Sequence, residues 1–241
     1  MLEGKKVIIF DMDGTLIDSV GMWNEVDAEL ISRIRTDGKK ESADVQSRRD
    51  AVLRKYNKND GSILQYFAFL KAKYGANLSE EEIHELRYSI AQDLLRYKVD
   101  YKPGADRLVR LLKKKGYTLA IASTSRRNTM EVYRLQNVNI MKKADLDEHF
   151  SLILTRDDVK ETKPSPEIYR RILRELEAEP EECLAFEDSL VGIEAAKRAG
   201  IETVAVYDKH YDSEREAIEA LTDHLLYNYE EWTALNVGEE S

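Results

Sequence analysis

The sequence predicts an α/β fold in which a parallel sheet with crossover helices is interrupted early by an all-helical insert. Three observations carry this. Short apolar runs rich in β-branched residues recur along the chain, and from Thr118 onward helix-like segments separate them. Between Leu16 and about Lys102 no such run occurs, and apolar residues recur at spacings of three and four instead.

The first strand is predicted at Val7–Phe10, four apolar residues that run straight into "DMDGT". In the insert, "NEVDAELISRI", "SILQYFAFLKAKYG" and "IHELRYSIAQDLLRY" each gather apolar residues on one helical face. The last is preceded by "SEEE", a capping box from Ser79 to Glu82. Residues 36–60 are charged and poor in apolar anchors, which predicts a loop or a weakly packed helix. The stretch "DYKPGA" at 100–105 supplies Pro103 and Gly104 for the return to the sheet.

Further strands are predicted at Thr118–Ala122, Leu152–Leu154, Leu184–Phe186 and Thr203–Val206. Gly116 and Gly200 stand where helix C-caps belong, and Ser165 with Pro166 reads as an N-cap followed by a first-turn proline. Neither an internal repeat nor a low-complexity tract is present.

Composition narrows the function. The 241 residues carry 46 acidic and 37 basic side chains, a net charge of −9 that argues against binding a phosphate backbone. Nucleic acid is therefore not an expected partner. The N-terminal apolar run is too short for a signal peptide and no segment approaches a membrane span, so no membrane association is expected. The single cysteine, Cys183, sits in the apolar stretch "CLAFE", cannot form an internal disulfide and reads as a small buried hydrophobe. A cytoplasmic location is the expectation.

Ligands of open parallel sheets bind beyond the carboxyl ends of the strands, so the polar residues that follow each apolar run form one group. The first run ends in Asp11 and Asp13, the second in Ser123 and Thr124, a later loop holds Lys163, and the fourth run ends in Glu187 and Asp188. Four carboxylates at one sheet edge repel each other unless a cation joins them, and their hard oxygens suit Mg²⁺. A helix–loop–helix calcium site is a poor alternative: it needs glycine at the sixth position, whereas Gly14 is fourth from Asp11.

Together, "DMDGT", "AIASTS", "KPSPEIY" and "EDSLVGIEAAKRAG" resemble the four motifs of the haloacid dehalogenase superfamily, in the phosphoglycolate phosphatase and β-phosphoglucomutase branch. The match runs from Val7 to about Tyr207. It implies a Rossmann-like catalytic core, residues 1–15 and 103–241, with an all-helical cap and its hinges at 16–102. By the resemblance Asp11 is the nucleophile that forms an aspartyl-phosphate, and Asp13 is the acid and base. Mg²⁺ is held by Asp11, the main-chain carbonyl of Asp13, and Asp188, with Glu187 bound directly or through water. Ser123 and the N–H of Thr124 hold phosphoryl oxygens, and Lys163 offsets charge on nucleophile and phosphoryl group. Gly14 permits close backbone approach beside the phosphate, and Thr15 orients Asp13. From its place just after "AIASTS", Arg126 reads equally as a contact to a second anionic group of the substrate and as a solvated arginine at a helix start.

Within the superfamily, an acid at the position of Asp13 favours phosphate-ester chemistry over dehalogenation. Mutases of the β-phosphoglucomutase type usually carry a cap glycine followed three residues later by arginine, and Gly21, Gly38, Gly61 and Gly75 each lack that arginine. The expectation is a phosphatase acting on a small phosphorylated metabolite, with the mutase as runner-up. A non-catalytic phosphate-binding regulator is a third reading, disfavoured because Asp13 and Lys163 are both present. Met22, Trp23 and Glu25 follow the nucleophile closely and are candidates to read the substrate, though for Met22 and Trp23 packing of the insert is the expectation. His84 and His210 are expected on the surface.

Overall fold

The computed structural model describes residues 1–39 and 62–237. Its contacts partition the chain into two units, Met1–Val20 with Val99–Ser241, and Gly21–Lys98.

The larger unit is built on a six-stranded parallel sheet. Its strands are β1 (Val7–Phe10), β2 (Thr118–Ala122), β3 (Leu152–Leu154), β4 (Cys183–Glu187), β5 (Glu202–Val206) and β6 (His224–Leu226), in the spatial order β3-β2-β1-β4-β5-β6. Every residue of β1 is buried, as a strand covered on both faces requires. On one face Val7 and Ile9 join Ala120, Ala185 and the helical residues Ile168, Tyr169 and Ile172. On the other, Phe10 stacks on Phe186 with ring centroids 4.7 Å apart, and Trp232 meets Phe186 edge-on. Burying one such aromatic side chain stabilises the fold by about 1.5–3 kcal/mol. The chain order reverses around β1 and β4, so the carboxyl ends of these strands form the crevice where this topology places ligands.

The strand β6 escapes sequence reading. It has three residues, begins at a half-buried histidine and pairs only with β5. Gly116 and Gly200 do end helices, at φ +87 and +82, the left-handed region where a side chain is strained. The helix predicted to begin at Ser165 is displaced by one residue: Arg170 N–H donates to Pro166 C=O at 2.9 Å, making Pro166 the cap of Glu167–Glu175. The segments either side of the insert meet through an antiparallel bridge of Ile17 with Tyr101, flanked by Asp18 N–H to Asp100 C=O at 3.0 Å.

The regular elements of the smaller unit's described part are all helices, α1 (Met22–Ile34), α2 (Ser62–Tyr74) and α3 (Glu80–Tyr97). Met22, Leu30, Phe67, Leu70, Ile83 and Leu95 are buried. The capping box is present in both directions, with Glu82 N–H on Ser79 Oγ at 3.1 Å and Ser79 N–H on Glu82 Oε2 at 2.7 Å. His84 is exposed, and so is His210 of the larger unit. Residues 36–39 are exposed and irregular; the remainder of the predicted loop or weak helix at 36–60 lies outside the described residues. No helix among the described residues is long and apolar enough to cross a membrane.

Candidate active site

Asp11 and Glu187 sit at the ends of neighbouring strands because β1 and β4 pair in register, Phe10 against Phe186. Asp188 follows at once. Carboxylate oxygens of Asp11, Glu187 and Asp188 lie within 4.8 Å of one another, all three residues buried. Lys163 converges on them from its own loop. Its ammonium donates to Asp11 Oδ1 at 2.5 Å, Glu187 Oε1 at 2.6 Å and the carbonyl of Ala122, the last residue of β2, at 2.7 Å. All three ammonium protons are thereby used.

Three buried acids, two of them bonded to Lys163 and the third, Asp188, offset by Lys102, set the electrostatics. Burial raises the Asp11 carboxyl well above its ordinary range, against the pull of Lys163. Burial, then the charge of Glu187, pushes Asp188 up to about 8. Burial alone lowers a lysine, yet Asp11 and Glu187 together hold Lys163 above its usual value.

Glu187 Oε2 and Asp188 Oδ2 are buried without a hydrogen-bond partner. Two orphaned carboxylate oxygens in a converging acidic set fit a hard divalent cation such as Mg²⁺. Glu187 is the most constrained of the set. Its Oε1 accepts from both Lys163 and the buried Tyr169 hydroxyl, and a Cβ on Gly192 would lie 1.9 Å from its Oε2.

Asp13 faces a different environment. Its Oδ1 accepts from Ser19 Oγ at 2.6 Å and Tyr133 Oη at 2.8 Å, and its Oδ2 accepts from Ser125 Oγ at 2.6 Å. Its carboxylate is not part of the converging acidic set.

The expected role of Thr15 needs correcting. Gly14, at φ +88, turns the chain sharply after Asp13, and the buried Thr15 hydroxyl donates to Asp188 Oδ1 at 3.1 Å rather than to Asp13. Glycine at 14 is required twice over: by its backbone and because a Cβ would come within 2.0 Å of Asp188 Oδ2.

Ser123 is buried at the end of β2, and its Oγ accepts from Ser125 N–H at 3.0 Å. Thr124 is exposed, as is Arg126, the N-terminal cap residue of the helix Arg127–Leu135. Sequence reasoning missed Ser19, Ser125, Tyr133 and Tyr169. Ser125 stood inside the quoted "AIASTS" stretch and Tyr169 closed the quoted "KPSPEIY", whereas Tyr133 occupies an apolar helix face and carries no signal beyond that of a core residue.

A family model described as haloacid dehalogenase-like hydrolase matches residues 5–200. A phosphorylated carbohydrates phosphatase of Thermotoga maritima is 32% identical over 200 residues, 83% of each chain. The mitochondrial (DL)-glycerol-3-phosphatase 1 of Arabidopsis thaliana is 30% identical over 236 residues, 93% of this chain and 72% of that one. Among solved structures, a Thermotoga maritima protein provisionally named β-phosphoglucomutase superposes with a TM-score of 0.72 at 27% identity, covering 95% of this chain and 98% of that one.

Proposed function

From the premise that this chain belongs to the haloacid dehalogenase-like hydrolase family and is a phosphoric monoester hydrolase, we propose that it hydrolyses a small phosphorylated metabolite through an aspartyl-phosphate on Asp11, with Mg²⁺ as cofactor. The observation that carries this is the buried convergence of Asp11, Glu187 and Asp188 at the carboxyl edge of β1 and β4, with Lys163 bonded to the first two.

In the first step an Asp11 carboxylate oxygen bonds to phosphorus while the bond to the leaving oxygen breaks, and Asp13 gives that oxygen its proton. In the second, water attacks the same phosphorus, Asp13 takes its proton, and the bond to Asp11 breaks to release inorganic phosphate. Lys163 holds Asp11 in place and balances charge on the phosphoryl group. Ser123 Oγ and Thr124 N–H receive its oxygens, and Thr15 steadies Asp188. Mg²⁺ held by Asp11, Asp188 and the Asp13 carbonyl, with Glu187 direct or through water, supplies the positive charge that lets a carboxylate approach a phosphate dianion.

We divide the chain into a catalytic core, residues 1–15 and 103–241, and a helical cap, 16–102, to which selection of the leaving group is assigned. Relatives named for phosphorylated carbohydrates and for glycerol 3-phosphate support a sugar or polyol phosphate as substrate. Arg126 is assigned to a second anionic group of that substrate. A cytoplasmic setting suits the single, buried Cys183.

The test is turnover of small phosphate esters by purified protein with Mg²⁺ and with excess chelator, followed by trapping of the phosphoenzyme. Activity should vanish with chelator, and Asp11→Asn should yield no phosphoenzyme. Full activity in chelator would sink the metal assignment. The β-phosphoglucomutase likeness keeps one second reading in play, because that reaction shares the aspartyl-phosphate and differs only in its acceptor. With β-glucose 1-phosphate and a bisphosphate primer, inorganic phosphate should exceed glucose 6-phosphate; the reverse would make the chain a mutase.

A further inference from the structure

Asp13 lies three residues past the end of β1, half-buried, in a loop that turns sharply at Gly14. The backbone there does not dictate which way a short carboxyl points. Three hydroxyls do, and two arrive from far along the chain: Ser125 is 112 residues away and Tyr133 is 120. They divide the carboxyl between them, Tyr133 on Oδ1 and Ser125 on Oδ2, so rotation of the group breaks at least one bond. Tyr133 is 1% exposed, and its ring is held in the packed face of its helix with Met130. Burial, and then the neighbouring Asp13, keep its phenol protonated, a donor at all ordinary pH. Ser125 is itself tied back, its N–H donating to Ser123 Oγ. The loop assigned to the phosphoryl oxygens is thus continuous with the one that aims Asp13.

We propose that Tyr133 and Ser125 are positioning residues that fix the direction in which Asp13 presents its carboxyl to the leaving-group oxygen. The inference rests on the reading of Asp13 as proton donor. Neither residue touches the reacting atoms. Each acts by holding a donor whose proton must travel to one particular oxygen as the phosphorus–oxygen bond breaks.

A merely structural tyrosine and a positioning one differ in what its loss does to leaving groups. An alkoxide needs the proton; a nitrophenolate leaves without it. The experiment measures single-turnover phosphorylation of Asp11 by glycerol phosphate and by 4-nitrophenyl phosphate, which separates the first step from later hydrolysis. Tyr133→Phe, which removes one oxygen, should slow the alkyl ester about tenfold and the aryl ester by about twofold or less. Ser125→Ala should show the same bias, and it carries the test if Tyr133→Phe fails to fold. In an Asp13→Asn background neither change should add further bias, since the held group has lost its proton. Equal loss on both esters, or no loss, in a folded variant overturns the proposal. Asp13→Asn is the control that tells the two readings apart. If it is biased against the alkyl ester and the positioning variants are not, only the present inference fails; if it shows no bias, the donor role of Asp13 fails and this inference falls with it.

Discussion

The helical unit and the carboxyl edge of the sheet both bury carboxylates, with opposite charge arithmetic. In the helical unit, the fully buried Asp27 meets Arg87 Nε at 2.6 Å, and the guanidinium lies 5.0 Å from the centroid of the Trp23 ring. Among the described residues, this acid is paired with a base. At the sheet edge, Asp11 and Glu187 share the ammonium of Lys163, and Asp188 beside them feels Lys102, an ammonium already paired with Asp208. The first arrangement balances itself, and a balanced buried pair is a structural element whose rupture leaves a naked charge. The second is short of positive charge by design of its residue types, and it must be completed from outside by protons or a cation. Burial of charge is common to both; the imbalance is what marks the site.

Four substitutions bear on that contrast. Lys163→Met should have the largest effect, lowering turnover by about 10²- to 10³-fold or more, because the only ammonium that balances Asp11 is lost. Its stability cost should be smaller, since Asp11 and Asp188 are already pushed toward their neutral forms. Thermal melts and steady-state rates on the same preparation read both quantities, and a stability loss above that of the helical pair would break the comparison.

Arg87→Met should reverse the pattern. It strands Asp27 in the interior at a cost of about 3–5 kcal/mol, while turnover per folded molecule changes far less than for Lys163→Met. Asp27→Leu combined with Arg87→Met should recover most of that stability, because two apolar groups leave no charge behind. Denaturant titration of the single and double variants decides it; a double variant no more stable than the single would mean that the pair is worth more than its absence.

The smallest effect belongs to Glu25→Gln, which breaks the exposed pair with Lys98 in the same helical unit. Water screens both partners there, so the midpoint should move by under about 1 kcal/mol. A larger shift would show that exposure does not separate structural from superficial pairs in this unit.

The candidate site was legible in part because its residues follow strand ends. "DMDGT" after Val7–Phe10 and "ED" after the fourth run announce acids at a sheet edge, since an apolar strand that stops on charge has few other uses. The neighbours of those acids were not legible. Tyr169 reads as one more apolar-face residue of its helix, yet its hydroxyl bonds Glu187. Thr15 sits two residues from Asp13 and was expected to serve it, but the turn at Gly14 delivers its hydroxyl to Asp188 instead. Hydrogen-bond partners of buried side chains are chosen by where the backbone places them in space, and sequence distance is a poor guide to that.

What the sequence by itself determined is the kind of molecule. Hydrophobic periodicity separates sheet from helical insert, the run "VIIF" demands burial on both faces, and the types of residue past each strand specify acids, one lysine and hydroxyls. These are local properties, encoded by neighbours within one turn or one strand. Only the tertiary structure decided the order β3-β2-β1-β4-β5-β6, the register that sets Phe10 against Phe186, the three bonds that exhaust Lys163, and the hydroxyls that hold Asp13. Apart from the bond of Ser19 to Asp13, six positions away, each of those joins residues tens to more than a hundred positions apart, and such contacts exist only once chain entropy has been overcome by packing the whole core.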